Sequence, residues 1–278
     1  VIDLHGKSIA ITGASSGIGR AAAIACARAG MLVSLMARRR GLLDEVVREI
    51  GAIGGRAMAF SGSVDDPDAC ARFIAETERE LGPVFAVFAN AGYGFEKATW
   101  RVPEEELRRI FEVNFWGSLH TIRPALPGMI ERGRGHVLFC SSCLSKIGLP
   151  CYGAYSATKA CQDHFGRAMR HELAGLGVAV STVHPIGTRT EFFETARSHS
   201  GQPLRLMDRT RERFMQTPER VADAIVRRLR SGRGGEVWTS LPTRLAMAAT
   251  VALPGLTDFA LSKIARKRLE KAAAAESR

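Results

Sequence analysis

The sequence predicts an α/β protein, a doubly wound parallel sheet of about seven strands with helices on both faces. Three observations carry the prediction. Short apolar or β-branched runs alternate with longer helical patterns over the first 185 residues. That order builds parallel strands joined by right-handed crossovers. The short runs are continuously apolar, as strands covered on both faces are. A glycine-rich turn separates the first run from the first helical pattern, and such sheets bind ligands at the carboxyl ends of their strands.

Ser8–Thr12 is the first expected strand, bounded by polar residues and glycine. Leu32–Ala37, Arg56–Ser61, Val84–Ala89, 136–140 and Val178–His184 follow, with a seventh at 236–239. Each is short and rich in apolar or β-branched residues. Helical patterns fill the gaps at 19–29, 40–50, Pro67–Leu81, 104–132 and 155–176. Thr217 as N-cap, Pro218 at the first helical position and Glu219 in the first turn start another helix, running to about 230. No internal repeat or low-complexity linker divides the chain. One domain over 1–278 is expected, with a substrate lid at 187–216 and a helical extension at 241–278.

Composition limits the function classes. The chain has 278 residues, 46% of them apolar, enough for a large core and against disorder. The net charge is +11, which points to an anionic small ligand, a nucleic acid or a membrane surface. From Arg227 onward there are 11 basic and four acidic residues, so +7 of the +11 lies there. Aromatics are only 7% and are not interleaved with that run; no nucleic-acid module is present, and no nucleic-acid partner is expected.

The six cysteines (Cys26, Cys70, Cys140, Cys143, Cys151 and Cys161) are too sparse for a small secreted framework. Cys140 and Cys143 make a CxxC, but no second ligand pair has zinc spacing, so no metal is expected. The first seven residues carry no basic-then-apolar leader pattern. No uncharged apolar run reaches the ~18 residues of a membrane span. A cytoplasmic location is expected.

The turn Thr12-Gly13-Ala14-Ser15-Ser16-Gly17-Ile18-Gly19 joins the first strand to the first helix. Its glycines let the backbone approach a pyrophosphate, and the helix start offers free N–H groups and a positive dipole end. Alone, such a trio is also an ordinary tight turn; between strand and helix it favours a nucleotide. The second strand ends in Ala37-Arg38-Arg39-Arg40, with no acid to take the ribose 2′-hydroxyl. Guanidinium groups suit a 2′-phosphate, so the expected cofactor is NADP(H), held by Arg38 first, Arg39 second, and Ser15.

Tyr155 and Lys159 stand four apart on a helical pattern and so share one face. A cation beside a phenol favours the phenolate, which tunes the phenol for proton transfer near neutral pH. Ser142 lies just past the fifth strand, where its hydroxyl can reach the same substrate oxygen. Asn114 interrupts a helical pattern with a poor helix former.

With these motifs in place the chain resembles the short-chain dehydrogenase/reductase superfamily, whose core is Rossmann-like. The resemblance covers roughly residues 6 to 240. The cofactor turn at 12–19, Asn90-Ala91-Gly92 after the fourth strand, and Asn114, Ser142, Tyr155 and Lys159 fall on the family's motifs in order and spacing. It implies Tyr155 as acid/base, Lys159 as its tuner and ribose ligand, Ser142 as orienter of the substrate oxygen, and Asn114 as anchor of a proton-relay water. It further implies cofactor contacts from Gly13, Ser15, Ser16, Gly17, Ile18, Gly19, Arg38, Arg39, Ser63, Val64, Asn90, Ala91, Gly92, Tyr155, Lys159, Pro185, Thr188 and Thr190. Two sites depart from the pattern. Ser63-Val64 replaces the usual Asp-Val, which weakens the adenine contact. Pro185-Ile186-Gly187 replaces Pro-Gly, so the carboxamide contact at Thr188 depends on the backbone that Ile186 adopts.

Phe192, Phe193, Leu204, Met207, Phe214 and Met215 in the lid, with Phe95, Leu144, Leu149 and Tyr152 near the tetrad, suggest an apolar pocket. The expected substrate is a small, apolar carbonyl or alcohol. Helical segments at 245–253 and 257–271 end in Arg266-Lys267-Arg268. They would pack on the protein, join a subunit interface, or give weak association with an anionic membrane. The resemblance implies a homodimer or homotetramer.

Overall fold

The computed structural model describes residues 1–200 and 215–276. Seven parallel strands form one sheet in the order β3-β2-β1-β4-β5-β6-β7. They are β1 (Ser8–Thr12), β2 (Leu32–Ala37), β3 (Arg56–Ser61), β4 (Val84–Ala89), β5 (Gly135–Cys140), β6 (Val178–His184) and β7 (Gly235–Trp238). The expected bounds hold for β1 to β4 and β6, and the other two shift by a residue.

Both faces are covered, as the apolar strand runs require. On one face α1 (Gly17–Arg28), α2 (Arg40–Ala52) and α9 (Pro218–Ser231) bury Leu43, Val46, Ile50, Ile225 and Leu229 against Ile9, Ile11 and Leu35. On the other, α3 (Pro67–Leu81), α5 (Gly117–Ile122) and α7 (Gly153–Leu173) enclose Phe73, Ile74, Leu119, Ile122 and Phe139. Thr217 and Pro218 do open α9, although the Thr217 hydroxyl makes no capping bond.

The expected helix at 104–132 is not one helix. It breaks into α4 (Glu104–Phe111), a π-helical turn (Glu112–Trp116), α5, a 3-10 turn (Arg123–Ala125) and α6 (Leu126–Glu131). Pro124 and Pro127 have no N–H to donate and interrupt the α pattern at its far end. The π-helical turn holds Asn114 at its centre; such bulges gather at functional sites. The segment expected at 155–176 starts at Gly153 and closes in a 3-10 turn, Ala174–Leu176.

Within the expected lid, α8 (Phe192–His199) forms, and Thr188 bridges in parallel to Gln216. Leu204, Met207 and Phe214 lie outside the described residues. The extension is α10 (Leu241–Ala252), started by the Ser240 hydroxyl accepting from the Thr243 N–H at 3.3 Å, and α11 (Pro254–Glu276). The two meet at a 103° bend. α10 rests on the 3-10 turn Cys143–Lys146 and buries none of its own residues.

A buried ionic node ties that turn to the sheet. The Lys146 ammonium lies 2.5 Å from Asp163 Oδ2 and 2.8 Å from Glu236 Oε1. Asp163 Oδ1 is 3.4 Å from His184 Nε2, and His184 stacks on Trp238 at 4.5 Å. His184 Nδ1 is 3.1 Å from the Ser142 carbonyl. Asp163, His184 and Glu236 cluster within 4.8 Å as metal ligands do, but Lys146 is the cation on both carboxylates. Burial pushes the Asp163 carboxyl up; its bonds to His184 and Lys146 outweigh this and hold it well below the usual range. Such a group stabilises fully above the ordinary carboxylate pKa and loses that contribution as pH falls through its depressed value. Lys146→Met should therefore cost about 3 kcal/mol at neutral pH, because it strands a buried carboxylate, and the deficit should narrow in acid. Urea unfolding at the two pH values checks this; equal midpoints at neutral pH would remove the node's structural role.

Candidate active site

The sheet order reverses direction between β1 and β4, and the cleft opens at their carboxyl ends. Those ends are pinned together. Thr12 Oγ1 accepts the N–H groups of Asn90 and Ala91 at 3.1 and 3.2 Å. The Asn90 amide donates to the carbonyls of Thr12 and Gly13 at 3.0 and 3.3 Å. Asn90 therefore fixes the path of the glycine turn from across the switch point.

Two glycines in that turn have no substitute. Gly17 sits at φ +54°, the left-handed region, with Thr190 resting above it. A Cβ on Gly19 would lie 2.3 Å from the Gly13 carbonyl oxygen. The α1 N-terminus that follows has no acid in its first turn, and Ser16 makes no side-chain cap. Its N–H groups are left to serve an anion.

A cavity of about 1000 Å³ runs from this turn to the tetrad. Of the expected cofactor residues, Gly13, Ser15, Ser16, Gly17, Ile18, Ser63, Val64, Ala91, Gly92, Pro185, Thr188 and Thr190 line it, as do Asn90, Arg38 and Arg39. Gly19 lies beneath the wall. Arg39, the second choice from sequence, is the arginine on the turn: its Nη2 donates to Ser15 and Ser16 at 3.3 and 3.2 Å, and to Glu191 at 2.8 Å. Arg38 is exposed along the same wall. Arg40 turns away to Asp44 at 2.8 Å. Ile186 has no left-handed strain; Cys151 is the only non-glycine residue at positive φ among the described residues.

Ser142, Tyr155 and Lys159 share the far end of the cavity. Tyr155 is buried and its ring meets Phe192 at 5.3 Å. The Lys159 Nζ lies 5.6 Å from the Tyr155 ring centre. Burial pushes the Tyr155 phenol far above its ordinary value, and a hydrogen bond with Ser142 opposes the shift. Burial also lowers the Lys159 ammonium. Desolvation thus outweighs the cation–phenol attraction expected from the four-residue spacing.

Asn114 is buried below the cavity rather than lining it. Its Oδ1 accepts from Tyr93 N at 2.9 Å, and its Nδ2 donates to the Tyr93 carbonyl at 2.9 Å and Thr158 Oγ1 at 3.0 Å. The side chain pins the loop after β4 onto α7. Phe95, Leu144, Leu149, Tyr152, Phe192 and Phe193 wall the tetrad end, giving the apolar character read from sequence. Cys140 is buried at the end of β5 and Cys143 is half-buried; both are free thiols. Burial pushes both thiols up, the opposite of a reactive thiolate.

Sequence reading missed Gln162, His184 and Glu191. Gln162 had a signal, since it stands three residues after Lys159 on one helix face. His184 and Glu191 become site neighbours only when β6 closes beside β5.

The site fits a dinucleotide: an open helix start, a turn whose glycines a Cβ would fill, and arginines along the second strand end. Comparison with known proteins agrees. The family model for short chain dehydrogenase matches residues 7–201. A glycine betaine reductase of Emericella nidulans is 34% identical over 82% of this chain, which spans only 18% of that protein. A fatty acyl-CoA reductase of Mycobacterium tuberculosis is 31% identical, covering 73% of this chain and 70% of that protein. The alcohol dehydrogenase of Thermococcus sibiricus, solved with 5-hydroxy-NADP, is 28% identical and superposes with a TM-score of 0.73 over 83% of this chain and 94% of its own. The chain therefore belongs to the short chain dehydrogenase family of oxidoreductases.

Proposed function

We propose that the protein is an NADP(H)-dependent reductase that exchanges a hydride between nicotinamide and a carbonyl or alcohol carbon of a small, apolar substrate. The observation that carries this reading is the single cavity shared by the glycine turn, two arginines, Ser142, Tyr155 and Lys159. When bound, the cofactor supplies or accepts the hydride. Tyr155 gives its proton to the substrate oxygen, and the Ser142 hydroxyl holds that oxygen in place. Lys159 carries the positive charge that offsets the phenolate left behind. A phenol raised by burial keeps its proton at neutral pH, which suits carbonyl reduction. Arg38 and Arg39 face a 2′-phosphate, with Ser15 as a further donor. A sensor that only binds the nucleotide would have no use for Tyr155 and Lys159 at the apolar end.

The apolar walls favour a straight-chain or aryl carbonyl over a sugar. Trp116 and Phe165, 42% and 46% exposed on the π-helical turn and on α7, support pairing into a homodimer or homotetramer through those helices.

A membrane-surface reading has its own support. Leu241, Leu245, Val251, Leu256 and Phe259 on α10 and α11, and Leu253 between them, are all exposed. Arg244, Lys263 and Arg266 are exposed on the same helices. Among the described residues no single helix is long and apolar enough to cross a bilayer, and α10 and α11 pass that test only as a pair bent by 103°; the exposed apolar and basic side chains favour the pair lying in an anionic surface.

Three outcomes are expected. Fluorescence titration should show NADPH binding about tenfold or more tighter than NADH, with Arg38→Ala and Arg39→Ala each narrowing the gap; preference for NADH would overturn the arginine assignment. Tyr155→Phe should bind NADPH normally yet lose on the order of a hundredfold or more in NADPH-dependent reduction of decanal or acetophenone, and undiminished turnover would refute its role. The protein should sediment with phosphatidylglycerol-containing vesicles and lose this in Leu245→Asp/Leu256→Asp; failure of the native protein to sediment would retire the membrane reading.

A further inference from the structure

Lys159 and the Asn114 carbonyl are joined through one side chain. Gln162 fills the place between them. Its Oε1 accepts from the Lys159 ammonium at 3.0 Å. Its Nε2 donates to the Asn114 carbonyl at 2.7 Å and to Ser118 Oγ at 2.7 Å. Ser118 Oγ in turn donates to the same Asn114 carbonyl at 2.8 Å. All four residues are buried, Gln162 and Asn114 with no exposure at all (0%). The π-helical turn Glu112–Trp116 presents the Asn114 carbonyl to α7 in this way. Two side-chain donors then occupy the main-chain carbonyl of Asn114, the residue that the family resemblance makes the anchor of a relay water.

We propose that Gln162 is a positioning residue for Lys159, an amide that replaces the relay water and holds the ammonium beneath Tyr155. The inference rests on the acid/base reading of Tyr155. The ammonium has three protons to donate. The Cys140 carbonyl takes one at 2.7 Å and Gln162 takes another; the third remains for the cavity that Lys159 lines. A water could serve as the same acceptor, but it would exchange and move. A glutamine anchored by two further hydrogen bonds is fixed, and a fixed acceptor keeps a flexible lysine in one place. An amide does not pass a proton along as water does. Gln162 therefore closes the path through Asn114, and the Tyr155 phenolate regains its proton from the cavity side.

The consequence for pH follows from charge. Without the Gln162 oxygen the buried ammonium loses an acceptor and is less stable. Tyr155 then loses the cation that favours its phenolate, and the phenol titrates at higher pH. Cys140 from β5, Cys143 from the following turn, and Tyr152 also face Tyr155; none of them changes in the variants below.

The test compares Gln162→Leu with Gln162→Ala. Leucine fills the space without polar atoms. Alanine leaves a polar hole that waters can enter to bridge Lys159 and Asn114. Decanal reduction by NADPH would be followed against pH, with NADPH affinity and urea midpoints measured in parallel. Expected for Gln162→Leu is a kcat lower by on the order of tenfold or more, an alkaline limb of kcat/KM raised by about half a unit or more, and NADPH affinity within about twofold. Gln162→Ala should keep more activity than Gln162→Leu, with a limb nearer the native one. The assignment is overturned if Gln162→Leu keeps the native kcat and limb. It is equally overturned if Gln162→Ala is the poorer variant and neither limb moves, the order that cavity cost alone dictates. Native protein that binds NADPH but turns over neither decanal nor acetophenone would overturn the proposed function, and this assignment with it.

Discussion

The hydrogen bonds between Thr12 and Asn90 are the constraint on which the cleft depends. The chain must leave β1 toward β2 and leave β4 toward β5, in opposite directions across the sheet. A gap at the carboxyl ends is the unavoidable result of that topology. Left to itself, the gap would set neither the glycine turn nor the loop after β4. The Thr12 hydroxyl and the Asn90 amide join the two in both directions. The turn then presents the α1 N-terminus to the cleft rather than to bulk solvent.

The second structural member is α7. One face of it carries Tyr155, Thr158, Lys159, Gln162 and Asp163, and all five are buried. Four of them tie α7 to its neighbours. Thr158 and Gln162 meet the π-helical turn, Lys159 meets β5, and Asp163 meets Lys146 and His184. A polar helix face buried this deeply is tolerable because Thr158, Lys159, Gln162 and Asp163 find partners on the elements packed against it. Tyr155 and Lys159 are thereby set on a rigid element and supported from behind. Ser142 is placed from the other side, with its carbonyl on His184 and its hydroxyl accepting from Leu144 N.

The electrostatics of the site favour neutral groups. Burial raises the Tyr155 phenol and lowers the Lys159 ammonium, so each group resists becoming charged. The charged side chains gather at the opposite end, where Arg39 and Glu191 pair across the phosphate turn while half exposed. One cavity thus has an ionic end at the glycine turn and an apolar end beside Tyr155.

Much of this was written in local sequence. Strand positions followed from short apolar runs whose bounds are set by glycine and charge, and local patterning decides those. The glycine turn, the arginines and the Tyr155–Lys159 spacing were legible because each is a contiguous motif with a local physical meaning. The continuous helix expected at 104–132 was not, since amphipathic spacing persists through π and 3-10 turns and hides the breaks at Asn114 and Pro124. The choice of Arg39 over Arg38 on the turn hydroxyls depends on how β2 enters α2, which spacing does not reveal. Gln162 as the partner of both Lys159 and the Asn114 carbonyl required two helices to meet. By itself the sequence determined the strands, the glycine turn and the Tyr155–Lys159 spacing, because those rest on neighbours in the chain. Only the tertiary structure decided what surrounds each group, because burial and the hydrogen bonds that answer it come from residues far apart in sequence.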